Sequence, residues 1–198
     1  MIAIVDYGMG NVASVSTAFK RLGYEVILTD KVEELDQASH IILPGVGSFQ
    51  AAVEEINSRG LKEDLQRLAK EKPFLGICLG MHLLFSSGFE GGISEGLDII
   101  PGTVEKIETE YLLPHIGWNA LDIKHGNKGF EVFQGQHVYF VHSYEARTED
   151  QYLVATTDYG PEVAAIVQKD NVFGIQFHPE KSGEIGVGIL KAFLQSSK

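Results

Sequence analysis

A chain of 198 residues can bury a full core without disulfides or metals, and it fits a single domain spanning 1–198. Acidic residues outnumber basic ones by 27 to 16 with no Lys/Arg cluster, so nucleic acid and anionic membranes are not expected partners. The lone cysteine excludes an intrachain disulfide and points to a reducing compartment. No apolar run approaches the ~18 residues of a membrane span. The apolar start lacks a basic flank and is broken by Asp6, so it reads as a first strand rather than a signal peptide, and the expected address is cytoplasmic.

In chain order, residues 2–5 predict a strand and 11–22 a helix with Val12, Val15, Phe19 and Leu22 at helical spacing. A second strand at 24–28, a short helix at 32–35 and a third strand at 41–43 follow. Helices at 49–56 and 61–70 lead to a fourth strand at 73–78 and a helix at 79–85. Strands in alternation with helices predict an α/β domain with a mostly parallel sheet covered on both faces. Ligands gather at the carboxyl ends of such strands, where three glycine-bearing loops fall, beginning at Tyr7, Pro44 and Gly76. Beyond residue 97 the pattern turns to an added strand region, with strands at 138–141, 152–156, 163–168 and 172–177. The last two flank a hairpin turn at Asp170-Asn171, and a helix at 184–194 closes the chain.

Cysteine after an apolar run is ordinarily a small buried hydrophobe. Gly76-Ile77-Cys78-Leu79-Gly80, however, has the form of a nucleophile elbow, a tight strand-to-helix turn that lifts the side chain off the sheet. Glycines are expected on both sides because a Cβ would clash across the turn. The N-terminus of the following helix would favour the thiolate. A cysteine nucleophile needs a base, and the base needs an orienting group. His178 ends the last strand, Pro179 biases it towards extended backbone, and Glu180 two residues on would then point to the same side. Cys78, His178 and Glu180 together supply a triad. His82, four residues after Cys78, could approach the sulfur from the helix. His137 and His142 should point to opposite faces of their strand, which argues against a shared metal, and His40 and His125 read as solvated. No metal or cofactor is expected.

Gly76-Ile-Cys-Leu-Gly with a distal His178-Pro-Glu180 resembles the class I, triad-type glutamine amidotransferases. Five further segments resemble the glutaminase subunits of imidazole glycerol phosphate synthases: Asp6-Tyr-Gly-Met-Gly-Asn11, Leu43-Pro-Gly-Val-Gly-Ser-Phe49, Pro114-His-Ile-Gly-Trp-Asn119, Tyr139-Phe-Val-His-Ser-Tyr144 and Gln176-Phe-His-Pro-Glu-Lys-Ser182. The resemblance covers nearly the whole chain and implies hydrolysis of L-glutamine through a Cys78 thioester, with ammonia delivered to a (β/α)₈ cyclase partner in histidine biosynthesis. It also implies an oxyanion hole from Leu79 and the Gly45, Val46, Gly47 loop, and substrate contacts from His82, Ser143 and Tyr144. Asn11, Trp118, Tyr139 and Lys181 match partner-interface positions. A switch of the Gly45-Val46 peptide would keep the isolated chain a poor glutaminase. One departure stands out: the family's elbow continues Gly-x-Gln, whereas this chain has His82 at that position.

Other readings include an amidotransferase of the same superfamily serving another acceptor, and a non-catalytic subunit. A dinucleotide-binding module is a third, since Gly8-x-Gly10-x-x-Ala13 follows a strand and Asp30 lies twenty residues past Gly10. Nothing else in the sequence resembles a hydride-transfer site.

Overall fold

A computed structural model describes residues 1–124 and 129–196. The expectation for His125 lies outside the described residues. The first half alternates as the sequence suggests: β1 (Ile2–Val5), α1 (Val12–Arg21), β2 (Val26–Thr29), α2 (Val32–Gln37), β3 (His40–Leu43), α3 (Phe49–Ser58), α4 (Lys62–Glu71), β4 (Phe74–Ile77) and α5 (Leu79–His82). The second half holds β5 (Phe85–Gly88), β6 (Ser94–Glu95), β7 (Ile100–Lys106), β8 (His115–Ala120), β9 (Asp122–Ile123), β10 (His137–His142) and β11 (Tyr144–Arg147). Then come β12 (Leu153–Asp158), β13 (Glu162–Lys169), β14 (Val172–Ile175), a 3₁₀ turn at Pro179–Lys181 and α6 (Gly183–Ser196).

One eight-stranded sheet runs β2-β1-β3-β4-β14-β13-β12-β9. The first five strands are mutually parallel, and β13, β12 and β9 extend the sheet antiparallel. Both faces are covered. Ala3, Val5, Ile41, Leu43 and Phe74 pack on the side of α2, α3 and α4, while Ile2, Ile4, Ile42, Leu75 and Ile77 pack on the side of α1 and α6. This alternation is the strand period of two applied to a sheet buried on both sides, and it explains why these strands read as continuous apolar runs. Among the described residues, no helix is long and apolar enough to cross a membrane.

Two expectations are corrected. The helix predicted at 79–85 ends after one turn, at His82. The Leu83 and Leu84 carbonyls accept from Leu97, Ile99 and Ile100, so the chain leaves the helix and enters β5. Leu83, Leu84 and Phe85 are buried on every side and carry no amphipathic signal to mark that change. The short strands β6, β7, β8, β9 and β11 were not anticipated. β9 joins the edge of the main sheet, and the others, with β5 and β10, form two small groupings beside it, β10-β8 and β11-β7-β5-β6, the second with a parallel β5–β7 contact.

Candidate active site

The chain turns from β4 into α5 at Cys78, whose φ of 55° and ψ of −111° place a non-glycine residue in strained backbone. The Cys78 N–H donates to the Ile175 carbonyl at 2.7 Å, so the turn is anchored to the neighbouring strand β14. A Cβ on Gly76 would stand 2.5 Å from the Gly80 carbonyl oxygen, across the turn as expected. A Cβ on Gly80 would stand 1.8 Å from the Leu43 carbonyl oxygen, so that glycine admits strand β3 rather than closing the turn. A single-turn helix carries little macrodipole, so the predicted helix-dipole support for the thiolate is not supplied by α5.

The sheet does bring His178 to the elbow. β14 runs parallel to β4 with Ile175 opposite Ile77, which brings the segment after β14 to the same end of the sheet as the elbow. His178 Nδ1–H donates to Glu180 Oε1 at 2.8 Å, leaving Nε2 for the sulfur. The pairing was foreseen from an extended backbone, but Glu180 lies in the Pro179–Lys181 3₁₀ turn, which folds the carboxylate back onto the ring. Both side chains are almost wholly buried. Burial alone would lower the imidazole pKa; hydrogen bonds to Cys78 and Glu180, together with their charge, outweigh it and raise it to about 9. The three residues of the predicted triad are thus brought to one end of the sheet.

Comparison with known proteins agrees. The family profile "Glutamine amidotransferase class-I" matches residues 3–196. The imidazole glycerol phosphate synthase subunit HisH of Exiguobacterium sibiricum is 51% identical over 197 residues, covering 100% of this chain and 96% of that protein. HisH of Caldanaerobacter subterraneus subsp. tengcongensis is 48% identical over 196 residues, covering 98% and 97%. The chain belongs to the class I glutamine amidotransferases. Within them it falls among the HisH-type relatives. Solved structures share the fold at low identity. A glutamine amidotransferase crystal structure gives a TM-score of 0.79 at 19% identity, covering 99% and 98% of the two chains. PurLQS from Thermotoga maritima gives 0.75 at 19%, covering 100% and 98%.

In this amidotransferase a cavity of about 270 Å³ opens over the sulfur. Val46, Gly47, Cys78, Leu79, His82, Ser143, Tyr144 and His178, all foreseen, line it together. Gly45 lies just beneath, where a Cβ would meet the Tyr7 hydroxyl at 2.5 Å and Leu79 Cβ at 2.9 Å. The buried Tyr7 hydroxyl donates to the Pro44 carbonyl at 2.6 Å and so ties the loop after β1 to the Pro44-Gly45 loop. Among the described residues no backbone carbonyl accepts from the Leu79 N–H. His82 does not reach for the sulfur, because its Nε2–H donates to Gln176 Oε1 at 2.6 Å. Burial lowers its pKa to about 4 against the raising effect of that bond, so the imidazole is neutral near pH 7.

Sequence reasoning missed four lining residues: Glu90, Pro114, Val141 and His142. Glu90 accepts from the Phe49 N–H at 3.1 Å, a contact between residues 41 apart that no local pattern announces. Its pKa is raised by burial, with the Phe49 bond pulling the other way. It supplies the only carboxylate among the described lining residues.

The four residues predicted for a partner interface, Asn11, Trp118, Tyr139 and Lys181, do not line the cavity. Trp118 is 56% exposed, so it is not part of the core, and it meets the Tyr139 ring edge-on at 6.0 Å. Asn11 and Lys181 are exposed, and Asn11 sits at the N-cap of α1 without making a side-chain cap bond. His137 and His142 do face opposite ways, one exposed and one buried. His40 is corrected: it is half-buried between the Tyr24 and Phe193 rings and lies 2.9 Å from Ser39 Oγ. As for a dinucleotide loop, Asp30 is held by Arg59 at 2.9 Å, and the same guanidinium stands 3.2 Å from where a Gly8 Cβ would be. Arg59 therefore fills the space that such a ligand would need.

Proposed function

We propose that this chain hydrolyses L-glutamine to L-glutamate and ammonia through a thioester on Cys78, and passes the ammonia to a separate (β/α)₈ cyclase subunit that forms imidazole glycerol phosphate. The observation that carries the chemistry is the buried His178, held by Glu180 on one side and lining the same cavity as Cys78 where the paired strands β4 and β14 end. The thiolate attacks the side-chain carboxamide carbon, and the resulting oxyanion turns to the Leu79 N–H and the Gly45-Val46-Gly47 loop. His178 gives its proton to the departing nitrogen as the C–N bond breaks, and ammonia leaves. Water then adds to the thioester with its proton taken by His178, the C–S bond breaks, and glutamate is released. The Glu90 carboxylate suits the substrate's α-ammonium group, and the Ser143-Tyr144 edge holds the other end.

The cyclase reading is supported by the exposed Trp118 beside the half-buried Tyr139, with Lys181 and Asn11 matching the family pattern. A −11 charge and a single thiol suit a reducing, cytoplasmic address. Glutamate release by the purified chain is to be measured alone, with a cyclase subunit, and with the cyclase's nucleotide ligand. Release should rise sharply on adding cyclase and ligand and vanish in Cys78→Ala. Release that is unchanged in Cys78→Ala would mean that another residue is the nucleophile. Release that ignores the cyclase would point to a different acceptor.

A further inference from the structure

His115 and His142 pair across the antiparallel ribbon β8–β10, where the register places them directly opposite each other. His115 Nδ1 lies 3.0 Å from His142 Nε2, and His142 Nδ1 lies 2.8 Å from the Tyr144 carbonyl oxygen. For an uncharged pair these contacts fix the protons. A carbonyl only accepts, so His142 must carry its proton on Nδ1. Its Nε2 is then a lone pair, and the proton between the two rings belongs to His115 Nδ1. The result is one directed chain from His115 through His142 to the Tyr144 carbonyl.

The surroundings keep that chain uncharged. A second proton on His142, at Nε2, would either oppose the His115 N–H or force that proton off Nδ1, and it would place a cation close to His178 and His82. Burial lowers the pKa of His142 to about 3 against the raising effect of the Tyr144 bond, with His115, His82 and His178 adding to the lowering. Burial lowers that of His115 to about 4. The His115 ring is also clamped, stacked on Tyr159 at 3.8 Å and on Phe140 at 4.9 Å. Ser143 and Tyr144, the lining residues next to His142, hang from the end of this chain.

Resting on the glutaminase reading above, we propose that His115 and His142 form a neutral, proton-ordered brace that positions the Ser143-Tyr144 edge of the cavity and thereby sets affinity for glutamine. Neither touches the reacting atoms; both are positioning residues. Two variants of His115 separate the brace from simple packing. His115→Phe keeps a stacked ring but removes the donor, leaving His142 Nε2 buried and unsatisfied. His115→Asn keeps a donor near Nδ1 but loses the stack. In the complex with cyclase, His115→Phe should raise KM for glutamine about fivefold to tenfold. Its kcat and the rate of Cys78 alkylation by iodoacetamide should change less than about twofold, and His115→Asn should restore much of the loss in KM. A harmless His115→Phe beside a damaging His115→Asn would overturn the brace in favour of packing. Nitrogen-detected NMR supplies a test that does not depend on activity: both rings should show the Nδ1–H tautomer from pH 5.5 to 8.5, and an Nε2–H tautomer in His142 would refute the proposal. A wild-type complex that releases no glutamate would instead strike the glutaminase reading, leaving the NMR result to judge the brace.

Discussion

Replacing Glu180 by Gln tests the ordering of the site at its most buried ion pair. The substitution keeps the shape and one hydrogen-bonding oxygen but removes the charge 2.8 Å from His178 Nδ1. In the native chain the imidazolium is favoured, with a pKa raised to about 9 from 6.5, which corresponds to ~3 kcal/mol at ~1.4 kcal/mol per tenfold. Because the folded value is raised, this stabilisation is fully present below pH 6.5 and is lost as pH rises towards 9. Cys78 and Glu180 share the raising effect, so removing the carboxylate should take away about half, or ~1–2 kcal/mol. Denaturant unfolding of native protein should therefore show stability falling across pH 6.5–9, and Glu180→Gln should flatten that fall. In the cyclase complex the variant should lose ~10- to ~1,000-fold in kcat/KM, less than a serine triad loses, because a thiolate needs its base less. Equal slopes of stability against pH in the two proteins, together with unchanged turnover, would show that Glu180 does not hold the imidazole.

Gly80→Ala should prevent normal folding or cost more than ~3 kcal/mol, since its Cβ would overlap the Leu43 backbone carbonyl; urea unfolding checks this, and a near-native midpoint would refute it. Glu90→Gln should raise KM for glutamine ~10- to ~100-fold with little change in kcat, as expected for a carboxylate that binds an ammonium group without joining the chemistry. A larger fall in kcat than rise in KM would assign Glu90 a different task. Trp118→Ala should weaken cyclase binding by ~2–4 kcal/mol in calorimetry while leaving the unfolding midpoint of the isolated chain nearly unchanged, because the ring is mostly exposed.

The parallel half of the fold was legible because each of its strands is apolar on both faces and is followed by a helix of its own. The antiparallel half hid itself for physical reasons. β7 begins Ile100-Pro101-Gly102, with Gly102 at φ 148°, and β8 carries Gly117 at φ 138°, so both resemble loops in sequence. At the site, Cys78 and its flanking glycines announced the elbow because the turn's steric demand is local. Glu90 and His142 gave no such sign, since the first is placed by a contact to Phe49 and the second by cross-strand register. The His178–Glu180 pair was found although its backbone was misjudged. Two residues of separation permit the contact in an extended segment and in the observed 3₁₀ turn alike.

What lets residues a hundred positions apart act together is the register of two parallel strands. Ile77 lies opposite Ile175, the Cys78 N–H bonds the Ile175 carbonyl, and the sulfur's height above the sheet is set by β14 itself. The base has a second anchor. His178 N–H donates to the Tyr139 carbonyl at 3.0 Å, and Ser182 Oγ accepts from the Tyr139 N–H while donating to the His178 carbonyl at 2.7 Å. His178 is thus suspended between the main sheet, which carries Cys78, and β10, which carries Tyr139 beside Trp118 of β8. The elbow is held by β14 alone, whereas His178 is held by β10 as well, through the Tyr139 carbonyl and Ser182. Hydrogen-bond strength falls steeply with distance and angle, so a displacement of β10 would be felt at His178 before it was felt at Cys78.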